Sequence, residues 1–364
     1  MDVSPILWSP LRLGAISLNN RLVMAPMTRC RSNADGVPSD MNAEFYAQHA
    51  SMGLIIAEST QICDRGRGYE NAPGCYTQAH VEGWRKVVDA VHAHGGRMTI
   101  QLYHCGRMTH PDLIGGQRPV APSAVAPDLT VHTSGSVAKP APVPHALTLD
   151  EIAAVIEDFR VAASYAIAAG ADGVEVHAAN GYLLHQFLAD NTNLRADRYG
   201  GPVENRIRLV LEVTRAVVDE IGAERTGIRI SPGTSKRTAI VENDTRGLYG
   251  ALVTALAPLD LAYLHLMFAG PDESLLHSVR TAWPHGFVLN RVNADLASRL
   301  RDVADTAADA TALARMALAN PDLVERIKKG AQLNEPDTRT FYSGGAHGYL
   351  DYPLLSDSPY QPSA

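Results

Sequence analysis

The chain has 364 residues, of which 46% are hydrophobic and 20% charged. That balance belongs to an ordinary soluble globular protein and excludes a disordered or fibrous chain. The net charge of −7, with no long basic run, excludes nucleic acid as an expected partner.

No apolar run approaches the ~20 residues of a bilayer span, so no membrane association is expected. Met1-Asp-Val-Ser-Pro-Ile-Leu-Trp8 lacks a signal-peptide pattern, which gives a cytoplasmic expectation. The cysteines Cys30, Cys63, Cys75 and Cys105 form no C-x-x-C and read as reduced thiols.

Arg21-Leu-Val-Met-Ala-Pro-Met-Thr28 is a short apolar run closed by polar residues, a first strand. A helix is predicted over 41–52, then a strand over 54–60. The helix over 81–94 stops at Gly95-Gly96, and the strand Met98-Thr-Ile-Gln-Leu-Tyr-His104 follows. Short, continuously apolar strands between helices predict a parallel sheet buried on both faces.

Residues 105–147 break the rhythm. They are rich in Pro, Gly, Ser and Thr and too long for an ordinary loop. Because βα alternation resumes afterwards, we read them as a lid grafted on the fold after the third strand. Thr148-Leu-Asp-Glu151 is a capping box that opens a helix to about residue 169.

Further strands are predicted from 173 to His177, over 226–232, 261–266, 286–290 and, weakly, 310–314. Helices are predicted to residue 221, over 247–257 and from residue 320. About eight βα units give one α/β domain over 1–364, a (β/α)8 TIM barrel.

The fourth strand carries the densest chemistry, Gly173-Val-Glu-Val-His177-Ala-Ala-Asn180-Gly-Tyr182. Catalytic groups of such barrels lie at the C-terminal ends of the strands. His177 and Asn180 there can donate hydrogen bonds to an oxygen gaining negative charge. Tyr182 can deliver a proton. Thr28, Gln101 and Arg229 fall near the ends of other strands and converge on the same cavity. No Rossmann fingerprint, P-loop or H-E-x-x-H appears, and no metal site is expected.

These residues, with Met24-Ala-Pro-Met-Thr-Arg29, Gln101-Leu-Tyr-His104, Tyr199-Gly-Gly-Pro-Val-Glu-Asn-Arg206 and Ala319-Asn-Pro-Asp-Leu323, resemble the old yellow enzyme family of flavin-dependent ene-reductases. The resemblance runs from Pro10 to Ala346. It implies a (β/α)8 barrel with FMN at its top, reduced by NADPH or NADH.

By the same resemblance, Thr28, Gln101 and Arg229 meet the flavin ring, while Pro26, Met27 and Ala57 touch it through backbone or surface. Ala314 and Arg315 fall at a phosphate-binding pair. Tyr69, Tyr103 and Tyr349 line the side of a small-molecule substrate, an α,β-unsaturated carbonyl or nitro compound. His177 and Asn180 hold its activating group, and Tyr182 protonates it. No cysteine beyond Cys105 stands where related barrels ligate an iron–sulfur cluster.

The sequence also departs from the family. The seventh-strand phosphate loop reads Asn290-Arg-Val-Asn293, and Ala314-Arg315 replaces a Gly-Arg pair. Both lose glycines that allow close backbone approach, so weaker FMN binding is expected, with Arg291 compensating electrostatically. Tyr103 stands where Trp is common, and residues 236–244 match poorly, implying a private loop. Two alternatives remain beside the ene-reductase reading. One is a flavin-dependent isomerase or desaturase, the other a degenerate barrel with weakened FMN binding.

Overall fold

Runs of three to six apolar residues, too short for helices of this kind, form the strands of a closed parallel barrel. The structure is a computed structural model and describes residues 4–133, 135, 137–233 and 235–357. The eight barrel strands are β1 (Leu22–Met24), β2 (Leu54–Ile56), β3 (Met98–Tyr103), β4 (Gly173–Ala178), β5 (Thr226–Ile230), β6 (Tyr263–Phe268), β7 (Phe287–Arg291) and β8 (Ala310–Leu313). Each pairs in parallel with the next, and β8 returns to β1 through Thr311↔Leu22 and Leu313↔Met24.

Alternation along each strand sorts side chains to opposite faces. On β4, Val174 and Val176 pack outward against the helices. Glu175 points inward, because its carboxylate meets side chains of β3 and β6, and β6 is not adjacent to β4. The lower interior is apolar. Val23, Leu54, Ile56, Tyr263, Val288, Ala310 and Ala312 pack there against Leu13, Ile16 and Leu18.

Those last three residues come from an antiparallel hairpin, Leu11–Leu13 with Ile16–Leu18, that plugs the barrel floor. Gly14 makes its turn at φ 58°, and a Cβ there would lie 2.3 Å from the Glu224 carbonyl oxygen. The sequence reading did not contain this hairpin. Its strands are only three residues long, below the length at which a period of two is visible.

The helix Leu149–Ala168 begins at the predicted capping box: Thr148 accepts from Glu151 N–H, and the Glu151 carboxylate accepts from Thr148 N–H. The fifth predicted helix is observed as Thr245–Leu256. Two helices absent from the reading, Glu273–Ala282 and Leu296–Ala304, follow β6 and β7. Residues 105–147 form a parallel pair, Val120–Ala121 with His145–Ala146, and a hairpin, Thr130–His132 with Ala138–Pro140. Among the described residues, no helix is long and apolar enough to cross a membrane.

Candidate active site

β4 ends in a turn that only certain residues can make. Asn180 and Gly181 both adopt positive φ, 58° and 77°, the left-handed region that Gly and Asn tolerate best. A Cβ on Gly181 would sit 2.6 Å from the Thr238 Cβ. Tyr182 is then the N-cap residue of Leu183–Leu188.

Buried polar groups hold this turn from behind. Asn180 N–H donates to Ser231 Oγ at 2.9 Å, and Gly181 N–H donates to His185 Nδ1 at 3.1 Å. His185 Nδ1 is thus an acceptor, which leaves Nε2 to donate to Glu242 Oε1 at 2.8 Å. Glu242 also accepts from Tyr249 OH and Gly233 N–H, each at 2.7 Å. Burial alone would raise the Glu242 pKa, but His185, Tyr249 and Gly233 together hold it below the usual value.

The tyrosines gather over this turn. Tyr182 OH and Tyr69 OH are 3.1 Å apart. The Tyr103 ring meets Tyr182 edge-on at 5.1 Å and lies 6.4 Å from the His177 ring, while its hydroxyl accepts from Gly68 N–H. His177 is 5.2 Å from the Tyr182 ring, also edge-on. Burial, reinforced by Arg229, His265 and His185, pushes the His177 pKa well below 6.5, so its imidazole is neutral. Burial raises the Tyr182 pKa well above 10, keeping the phenol protonated.

Beneath them lies a polar layer inside the barrel. Gln101 donates to Glu175 Oε1 at 2.7 Å and accepts from Ser59 Oγ at 2.6 Å. Glu175 Oε2 meets His265 Nδ1 at 2.9 Å. Arg229 lies opposite His177 in the β4–β5 register and opposite His265 in the β5–β6 register. It is buried; among the described residues its one hydrogen bond goes to Met267 Sδ at 3.5 Å and its Nε has no partner. His177 Nδ1 and His265 Nε2 are also buried without partners among the described residues.

Orphaned polar atoms of this kind cost roughly 1–3 kcal/mol each, more when charged. Their grouping at one mouth fits a planar ligand bearing carbonyl oxygens and negative charge. Reduced FMN is such a group, and Arg229, with the unspent N–H of Gln101, would hold it here.

The sequence matches the NADH:flavin oxidoreductase / NADH oxidase family over residues 6–334. The chain belongs to that family. It is 43% identical to a probable flavin mononucleotide-dependent alkene reductase of Leishmania infantum, covering 96% of this chain and 98% of the relative. It is 40% identical to 12-oxophytodienoate reductase 1 of Oryza sativa subsp. japonica, covering 96% and 93%. Among solved structures, the old yellow enzyme homologue from Zymomonas mobilis superposes with a TM-score of 0.92 at 40% identity, covering 96% and 100%. Morphinone reductase in complex with tetrahydroNAD gives 0.92 at 43%, covering 98% and 100%. The chain is an old yellow enzyme family member with the family's TIM barrel.

The remaining residues expected from the family resemblance fall in different surroundings. Pro26 is buried, and Met27 and Thr28 are half-buried just beyond β1. Ala57 is fully buried, its N–H spent on the Thr99 carbonyl. Ala314 is half-buried, and the exposed Arg315 lays its guanidinium 5.7 Å from the Phe341 ring centre. Tyr69 and Tyr103 join Tyr182, but Tyr349 joins a different group. Its ring stacks on Phe45 at 4.1 Å, between Arg29 and Arg31, and its hydroxyl accepts from Asn42.

Arg291 requires a correction. Its guanidinium is held by Asp302 at 2.9 Å and Glu273 at 2.6 Å. Strand alternation sends it outward, opposite to its neighbour Asn290, and those carboxylates consume its charge.

Sequence reasoning missed Glu175, His265, His185 and Glu242. Glu175 had a readable signal, a carboxylate two residues before His177 in an apolar strand, hence on the same face. Glu242 had none, because its partner lies 57 residues away.

Proposed function

We propose that the protein is an FMN-dependent ene-reductase. It reduces the activated C=C bond of α,β-unsaturated carbonyl or nitro compounds at the expense of NADPH or NADH. One observation carries the reading: His177, Asn180, Tyr182 and the unpaired Arg229 converge at the C-terminal mouth of the barrel. The relatives named as alkene and 12-oxophytodienoate reductases support the substrate class. The tetrahydroNAD complex of morphinone reductase supports a nicotinamide reductant.

FMN held by Arg229 and Gln101 would supply the two-electron hydride chemistry between the nicotinamide and the alkene. The chain's own residues do the rest. His177, kept neutral by burial and by the nearby Arg229 guanidinium, offers an N–H without becoming an acid. Asn180 offers its side-chain amide, which makes no hydrogen bond among the described residues. Two neutral donors polarise the carbonyl and stabilise the charge that builds on its oxygen.

Tyr182 holds the proton for the α-carbon. Its raised pKa keeps that proton in place until the carbon becomes basic. Tyr69, within hydrogen-bond distance, steadies the phenoxide left behind. Arg229 favours an anionic flavin ring, because a guanidinium stays charged even when buried.

The same reading gives residues 105–147 a capping role. Arg107 supports it by donating to the Val125 and Ala239 carbonyls, tying the insertion to the 235–244 loop behind the catalytic turn. We also take the protein to act in the cytoplasm on small molecules, with no nucleic-acid or membrane partner. The four free cysteines are consistent with that compartment.

The test is product analysis with cyclohexenone and NADPH. We expect the saturated ketone and one nicotinamide oxidised per ketone formed. An isomerised product with no net nicotinamide consumption would instead establish the isomerase alternative.

A further inference from the structure

The mouth of a (β/α)8 barrel between strands seven and eight is a common phosphate site, formed by their C-terminal loops. In this chain those loops are short of glycine, and Arg291 is spent on Asp302 and Glu273. Another guanidinium occupies the place. Arg299, on the helix Leu296–Ala304, is 9% exposed and turns back between the ends of β7 and β8. Its Nη1 reaches Asn290 Oδ1 at 3.4 Å and the Ala312 carbonyl at 3.3 Å, and its Nε donates to the Ala294 carbonyl at 3.0 Å.

The arrangement is unusual in what it lacks. Among the described residues, no carboxylate pairs with Arg299, and its Nη2 makes no hydrogen bond. Two carboxylates lie close enough to favour its charge, but Asp302 is held by Arg291 and Asp295 accepts from Ser298 N–H at 2.8 Å. A nearly buried guanidinium without an anion is costly, because its desolvation is not offset. Three neutral oxygens orient it and leave the charge free for a ligand. The planar fork matches the oxygens of a phosphate monoester.

We propose that Arg299, oriented by Asn290, is a ligand of the FMN phosphate and supplies the charge that the glycine-poor loops leave uncovered. Arg315, exposed at the end of β8, is a second positive charge on the same rim. The inference rests on the reading of the chain as an FMN protein and adds to it the residue that distinguishes FMN from riboflavin.

The test compares FMN and riboflavin, which share the ring and differ in the phosphate. Dissociation constants for both would be measured by flavin fluorescence on the full-length protein stripped of flavin. Arg299→Gln should weaken FMN by on the order of 10–100-fold, the worth of a charge-assisted hydrogen bond, and leave riboflavin unchanged.

Equal weakening of both flavins would make Arg299 a structural strut and overturn the proposal, as would an unchanged preference for FMN. If the neutral variant does not fold, Arg299→Lys keeps charge and packing but loses the fork. Its FMN preference should then fall several-fold, and a preference equal to the wild type's overturns the proposal. Wild-type protein that binds neither flavin would remove the cofactor reading, and this inference with it.

Discussion

The Tyr69 and Tyr182 hydroxyls lie 3.1 Å apart, beside the neutral imidazole of His177. Removing the Tyr182 hydroxyl removes the proton source but not the polarising donors. Tyr182→Phe should therefore slow alkene reduction by roughly 10²–10⁴-fold, the usual contribution of a positioned acid. Flavin reduction by NADPH should proceed at the wild-type rate. Stopped-flow measurement of the two half-reactions separates these outcomes, and equal slowing of both would give Tyr182 a structural role.

Arg229 is buried without a carboxylate in ion-pair distance among the described residues. Its value to an anionic ring is a charge-assisted interaction. Arg229→Met should lower the flavin's reduction potential and slow its reduction by NADPH at least about tenfold. Spectroelectrochemistry reports the potential directly, and an unshifted potential would place the anionic locus elsewhere.

The barrel and most of its strands were legible because parallel strands buried on both faces are short apolar runs; about eight of them alternating with helices, with no dinucleotide fingerprint after the first, suit a closed barrel rather than a doubly wound sheet. The β4 chemistry was legible because His177, Asn180 and Tyr182 are neighbours in sequence. The supports were not. Glu175–His265 and His185–Glu242 join residues 90 and 57 positions apart; Glu175 shares a strand face with His177, but nothing in the sequence names its partner, and Glu242 alone reads as a surface group. Arg291 was misread because a charge near a strand end does not reveal which face it takes. One residue's difference in register decides that.

The His185–Glu242 pair holds the turn through Gly181 N–H. Glu242→Gln keeps the volume but weakens the acceptor, freeing Asn180 and Tyr182 to drift. We expect kcat for alkene reduction to fall about tenfold or more, because small displacements of catalytic groups are costly, while the flavin spectrum stays unchanged. Unaltered kcat would make the pair a packing device only.

Gly181→Ala should destabilise the fold by about 1–3 kcal/mol, since positive φ and the 2.6 Å approach to Thr238 both oppose a Cβ. Chemical denaturation gives the figure. A wild-type midpoint would mean that the 235–244 loop yields.

Acid should weaken the protein through its buried histidines. Burial, helped by Arg65, lowers the His104 pKa from 6.5 to about 3. The unfolded chain takes up that proton first, so the contribution is full above about pH 6.5 and is lost as pH falls towards the folded value. His104→Asn should make stability against pH shallower by about 1.4 kcal/mol per pH unit in that window. Urea unfolding at several pH values measures the slope, and an unchanged slope would contradict the assignment.

The most direct test of the central claim is an anaerobic visible spectrum of the FMN-loaded protein, first with NADPH and then with cyclohexenone. The flavin bands should bleach on reduction and return in full when the enone is added. Bands that bleach but stay bleached until oxygen is admitted would contradict alkene reduction at this site.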